Sequence, residues 1–187
     1  MAKTRQIVFI LTTVAISLVS VVGINNASKM IAVREPVKND QDFFMVDAIY
    51  TRFDDAGEIN SKVYARKITH TVEKDIFYFD VPKIIISSKG EQPWLINSKK
   101  AKSEGNDKKI TLWDEVTISK KGDEKHPALH VSTKSIQYYL QQKVANTDDV
   151  VKILENNDTI ESVGATIDFK TAIIKLLSKV RAVYRLN

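Results

Sequence analysis

The hydrophobic and polar positions of this 187-residue chain change period twice. Residues 7–24 carry no charge, and only Thr12, Thr13, Ser17 and Ser20 are polar among them. At about 1.5 Å per residue, a helix over that stretch approaches the thickness of a hydrocarbon layer. Residues 25–41 lose any periodic apolar face and read as a tether. From Phe43 onward apolar and polar residues alternate in short runs, as at 76–79, 84–87 and 110–118, which are rich in β-branched and aromatic side chains. Between such runs lie Asp54-Asp55-Ala56-Gly57, Lys89-Gly90, Gly105-Asn106-Asp107, Lys121-Gly122-Asp123 and Asn156-Asn157-Asp158. Gly, Asn and Asp tolerate the left-handed backbone of tight hairpins. The pattern predicts an all-β sandwich or roll.

A longer period overlies the alternation. Apolar, any, apolar or Asn, three of any, then Val or Pro recurs four times at about thirty-four residues: Ile76, Tyr78, Pro82; Ile110, Leu112, Val116; Val144, Asn146, Val150; Ile174, Leu176, Val180. Ala101, Ser135 and Ala165 stand nine positions ahead of the later copies, and Ala65 eleven ahead of the first. Stacked β units that bury a shared face account for such a repeat. Two stretches also fit a helix: Ile136, Tyr139, Leu140, Lys143, Val144, and Ile173, Leu176, Leu177, Val180, Tyr184. Strand is expected for both, since each coincides with a copy of the repeat.

Charge and composition narrow the functional classes. Lys3 and Arg5 precede the apolar run, so residues 1–6 are expected in the cytoplasm, 7–24 in the membrane, and the rest outside. A cleavable signal is the competing reading; the run is long for one and lacks an A-x-A site. A buried core helix is the third reading. The net charge of +5 suits an anionic partner. No cysteine is present, which excludes disulfides, thiolate chemistry and lipidation of an N-terminal Cys. Hydrolase, zinc-protease, P-loop and dinucleotide motifs are missing, so neither an enzyme nor a cofactor is expected. No aromatic-basic motif points to nucleic acid. His126 and His130 stand four apart around Pro127 and read as turn histidines, while His70 stands alone. Lys99, Lys100, Lys102, Lys108 and Lys109 read as a solvated hairpin, with lipid phosphate as the minor alternative.

Several segments are familiar in combination: the basic start and apolar run, Asp47-Ala48-Ile49-Tyr50, Asp54-Asp55-Ala56-Gly57, Tyr64-Ala65-Arg66 and Tyr78-Phe79-Asp80-Val81-Pro82. Pro93-Trp94-Leu95-Ile96, Lys100-Ala101-Lys102, Ile110-Thr111-Leu112-Trp113-Asp114-Glu115-Val116 and Lys179-Val180-Arg181-Ala182-Val183-Tyr184 follow in order. Together they resemble the LptC family of lipopolysaccharide transport proteins, over nearly the whole chain. The sequence departs from the family pattern around Ser162-Val163-Gly164-Ala165, which leaves Gly164 without an assigned role.

The resemblance implies a twisted antiparallel β-jelly roll at residues 42–187, open along one side and preceded by a single transmembrane helix. Its apolar interior would receive acyl chains, with lumen candidates Phe77, Phe79, Ile84, Ile86, Trp94, Ile96, Ile110, Leu112, Val116, Ile118, Val131 and Ile136. Phe79 leads that set, because it matches the aromatic position ahead of Pro82. Tyr138 is a further candidate. The implied N-terminal docking edge carries Phe44, Val46, Ala48 and Tyr50, facing the inner-membrane permease of LptB, LptF and LptG. The C-terminal edge carries Ile174, Leu176, Val180 and Tyr184, facing the periplasmic bridge protein LptA. An anchored scaffold that joins proteins without touching lipid is the rival reading, and a homodimer through a free edge is a further expectation.

Overall fold

A computed structural model describes residues 41–184 except 73–74, 88–89, 105–107, 125 and 157. The expected tail and anchor, and all but the last residue of the tether, lie outside the described residues. Among the described residues no helix is long and apolar enough to cross a membrane.

Among the described residues, eleven antiparallel strands form one sheet: β1 Gln41–Phe53, β2 Ile59–Thr71, β3 Ile76–Asp80, β4 Lys83–Ile86, β5 Trp94–Asn97, β6 Lys100–Glu104, β7 Lys109–Lys120, β8 Leu129–Tyr139, β9 Val144–Glu155, β10 Asp158–Asp168 and β11 Ile173–Val183. The far side of β2 holds both β4, through Tyr64↔Lys83, and β3, through Lys67↔Asp80, in one unbroken register. β3 and β4 are therefore one long strand interrupted at Val81-Pro82. β6 and β5 pair with them and are likewise one strand interrupted at Ser98-Lys99. Both join β7, and β8 to β11 follow in sequence order. The fold is thus a meander of long strands in which every strand crosses a common crease.

The crease is built from residues that depart from strand geometry. Asp47 in β1, Val81, Asp114 and Glu115 in β7, Gly164 in β10 and Lys179 in β11 all have φ between 49° and 78°. Single left-handed residues bend a strand and increase its twist, as β-bulges do. Pairing slips beside them, between Trp113 and Val116 and between Val163 and Ala165. Backbone bonds continue across the fold: Val81 N donates to Lys99 O at 2.8 Å, and Lys99 N to Asp114 O at 2.9 Å.

Two arms diverge from this line. One contains β3, β6, the leading halves of β1, β7, β9 and β11, and the trailing halves of β2, β8 and β10. The other contains β4, β5 and the complementary halves. Their inner faces meet in one apolar core, with Ile68, Phe79, Ile110, Leu112, Ile136 and Ile167 from the first arm against Ile84, Ile86, Trp94, Ile96, Val116, Ile118 and Val131 from the second.

The sequence repeat has a direct structural cause. One out-and-back pair of long strands takes about thirty-four residues, and the Pro or Val of each copy stands within two residues of the crease. Ala65, Ala101 and Ala165 stand near it, buried in the preceding strands, while Ser135 is half-buried and donates to Asp149. Both helix-compatible stretches contain strand: residues 136–139 end β8 before a turn at 140–143, and 173–183 are β11. In β11 the half-buried Ile174 and Leu176 follow the two-residue period toward the core, while Leu177, Val180 and Tyr184 are exposed.

Candidate functional site: an apolar interior between two free edges

Alternation along each strand sends every second side chain inward. It places Phe79, Ile84, Ile86, Trp94, Ile96, Ile110, Leu112, Val116, Ile118, Val131 and Ile136 in the core, with Tyr138 beside them; Phe77 packs against it half-buried. The interior is therefore filled mostly by its own side chains. Among the described residues an apolar cavity of about 250 Å³ lies toward β1, lined by Met45, Tyr50, Val63, Ile68, Phe77, Phe79, Ile110 and Leu140. Phe77, Phe79 and Ile110 are the lumen candidates that reach it. Met45, Tyr50 and Leu140 line it without having been expected to; they become neighbours only through the pairing of strands distant in sequence.

The edges differ from the core in cover alone. Phe44, Val46 and Tyr50 of β1 are exposed and Ala48 is half-buried. Ile174 and Leu176 of β11 are half-buried, and Val180 and Tyr184 are exposed. Neither β1 nor β11 has a partner on its outer side among the described residues. Their pairing groups are ready to accept another strand.

Away from the crease, the rims of the two arms meet at a mouth. Phe169, just past β10, is buried with its ring edge-on to Trp94 of the opposite arm at 5.3 Å and to Tyr138 of its own arm at 5.5 Å. Its N–H donates to Lys143 O at 2.9 Å. The Asp168 carboxylate accepts from the N–H groups of Lys170 and Thr171, closing the turn. Lys143 Nζ reaches across the mouth and donates to Ser87 O at 2.9 Å. Burial, then the neighbouring Lys170, holds the Lys143 ammonium below its ordinary pKa, opposed by Asp54. Burial pushes the Tyr138 hydroxyl up, opposed by Arg52. Phe169 escaped the sequence reading although Ala165, Ile167 and Phe169 continue the two-residue inward period.

At the start of β1, His70 links two carboxylates: Nδ1 to Asp42 at 2.7 Å and Nε2 to Asp75 at 2.9 Å. Phe43 and Phe77 pack on its ring at 5.1 and 4.4 Å. The hydrogen bond to Asp75, then that to Asp42, raises its pKa against the opposing effect of desolvation. The hairpin lysines are engaged as ion pairs: Lys99 with Glu115, Lys100 with Asp80, and Lys102 and Lys109 with Glu104. His126 contacts Asp123, and no metal-binding cluster occurs among the described residues. Gly164 gains a geometric explanation. At φ +78°, a Cβ there would stand 2.9 Å from Leu177 Cδ1, so a side chain would strain the backbone and push the Leu177 side chain aside.

The family described as lipopolysaccharide-assembly, LptC-related, matches residues 7–185. The chain belongs to the LptC-related family. That membership ties it to lipopolysaccharide transport. No curated protein sequence matches it. Among solved structures, the chain is similar to LptH of Pseudomonas aeruginosa, described as the LptA-homologous periplasmic component of the conserved lipopolysaccharide transport device. Identity is 13%, coverage is 79% of this chain and 99% of that one, and the TM-score is 0.46.

Proposed function

We propose that this LptC-related chain is the membrane-anchored periplasmic component that receives lipopolysaccharide from the ATP-driven LptB, LptF and LptG permease and passes it to the bridge protein LptA. One observation carries the reading: a single apolar interior runs between two exposed, unpaired edge strands. Strand addition at β1 and β11 would extend that interior into both neighbours, with main-chain bonds supplying affinity and alternate side chains specificity. Residues 7–24 would hold the domain at the inner membrane, with Met1 cytoplasmic.

The chemistry demanded is shelter rather than reaction. Each acyl methylene withdrawn from water is worth about 0.8 kcal/mol, so a twelve-carbon chain carries about 10 kcal/mol. A carrier must offer apolar surface before the membrane releases the lipid. The cavity of about 250 Å³ is smaller than the roughly 300–1,000 Å³ of ordinary small-molecule sites, so a lipid with several acyl chains requires the arms to part.

Photocrosslinkers at Phe79 and Val180 of the full chain, in ATP-energised membranes, test the proposal. Lipopolysaccharide adducts from Phe79 and bridge-protein adducts from Val180 are expected. Protein adducts from Val180 with no lipid at Phe79 would establish the scaffold reading instead.

A further inference from the structure

The interior has to open for a lipid to enter, and the mouth shows where resistance is concentrated. Along it, Phe169 stands between Trp94 and Tyr138, and the side chain of Lys143 crosses from one rim to the backbone of the other. The crossing bond and the wedge are coupled, because the carbonyl of Lys143 also holds the N–H of Phe169. Lys143 itself is fixed in a left-handed turn with φ 55°, which aims it from the β8–β9 connection.

Charges crowd this rim: Lys143 and the exposed Lys170 act on one another, with Asp54 in reach of Lys143 and Asp168 in reach of Lys170. Arg52 lies within electrostatic reach of Tyr138, and its Nη1 is buried with no hydrogen-bond partner. An anion at the rim would add charge–charge attraction to the hydrogen bonding that the neutral Ser87 carbonyl offers the Lys143 ammonium.

Resting on the lipid-transport reading, we propose that Lys143 is a latch on the lateral mouth, released when the phosphate of an amphiphile's head group draws its ammonium away from Ser87 and frees Phe169 to swing out. The head group would then be held at the rim by Lys143 and Lys170 while the acyl chains take the place of Phe169 beside Trp94. Access is thereby restricted to anionic amphiphiles, and a neutral lipid of the same chain length meets a closed mouth.

Because the chain contains no cysteine, Ile167→Cys gives a single reporter thiol at a buried position behind the wedge. In the full chain reconstituted in nanodiscs, Lys143→Gln should speed labelling by a water-soluble maleimide about tenfold, the scale of losing one hydrogen bond from a charged donor. Lys143→Arg should restore slow labelling, which separates the latch from a general folding defect. Phe169→Leu should also label faster and serves if Lys143→Gln does not fold.

A photocrosslinker at Phe79 then compares lipopolysaccharide with lipopolysaccharide stripped of its phosphates. The unsubstituted latch should admit only the phosphorylated form, and Lys143→Gln should admit both. Inorganic phosphate alone should leave labelling unchanged; equal acceleration by it would overturn the head-group trigger. Equal labelling rates with and without Lys143, or equal crosslinking of the two lipids with Lys143 in place, would refute the latch. If Lys143→Gln labels faster but neither lipid crosslinks in any variant, the transport reading and its trigger fall while the mechanical latch stands.

Discussion

β7 and β11 carry the same three-position apolar pattern and come to opposite ends. In β7, Ile110, Leu112 and Val116 are 4%, 0% and 1% exposed; in β11, Ile174 and Leu176 are half-buried and Val180 is 52% exposed. Composition does not separate the strands, but neighbours do. β7 is paired on both sides and faced by the opposite arm, whereas β11 has β10 alone. Fully burying one such side chain contributes about 1.5–3 kcal/mol, a gain that β7 collects and the outer half of β11 does not. The exposed apolar residues of β11 beyond Leu176, and likewise Phe44 and Val46 of β1, therefore add little to the stability of the isolated domain, as a docking edge would require.

The comparison can be broken most forcefully in the core. Leu112→Ala should lower unfolding free energy by about 2–5 kcal/mol, because its site is enclosed on every side. Leu177→Ala, on the uncovered face of β11, should stay within about 0.5 kcal/mol. Paired urea denaturation curves measure both. Similar losses would mean that β11 is covered in the isolated domain after all.

A smaller effect, confined to binding, sharpens the role of the edge. Val180 lies in the slip between Ser178 and Arg181 and has no register partner in β10, so Val180→Pro should disturb the existing ladder less than a proline opposite a partner would. It should weaken association with the bridge protein at least about tenfold by removing an outward donor and fixing φ. Surface plasmon resonance at unchanged affinity would exclude this edge as the docking strand.

The smallest effect concerns the other edge and its pH dependence. His70 has a raised pKa in the folded state, so its contribution is fully present below its ordinary value of 6.5 and is lost as pH rises through the raised value. Amide exchange at residues 43–46, corrected for intrinsic rate, should be slower at pH 6 than at pH 8. His70→Gln should flatten that difference. An unchanged pH profile in the variant would show that Asp42 and Asp75 do not clamp β1 through His70.

Much of the fold was legible because its signals are local. Gly-, Asn- and Asp-rich turns separated the strands, and the two-residue period selected residues such as Ile84, Ile86, Ile96 and Ile118 for the inside. The period of about thirty-four residues was visible as well, though its cause was not. It arises from a crease that each strand crosses, at residues as different as Asp47, Val81, Gly164 and Lys179. Their shared property is backbone conformation, which no residue pattern encodes uniquely. The candidate site was only partly legible, since alternation identifies inward residues without showing which face free space. Phe77, Phe79 and Ile110 reach the cavity; Trp94 and Ile118 do not. His70 looked isolated because its partners, Asp42 and Asp75, come together with it through strand pairing and a turn.

The sequence by itself determined strand composition, the inward set of side chains and membership of an LptC-related family, because alternation and turn chemistry act over a few residues at a time. Tertiary structure alone decided which apolar strands are covered, where the cavity remains, and which rims meet at Lys143 and Phe169. Those properties depend on long-range pairing and on how sharply the sheet folds along its crease. Identical apolar patterns become core or exposed edge according to what lies beside them.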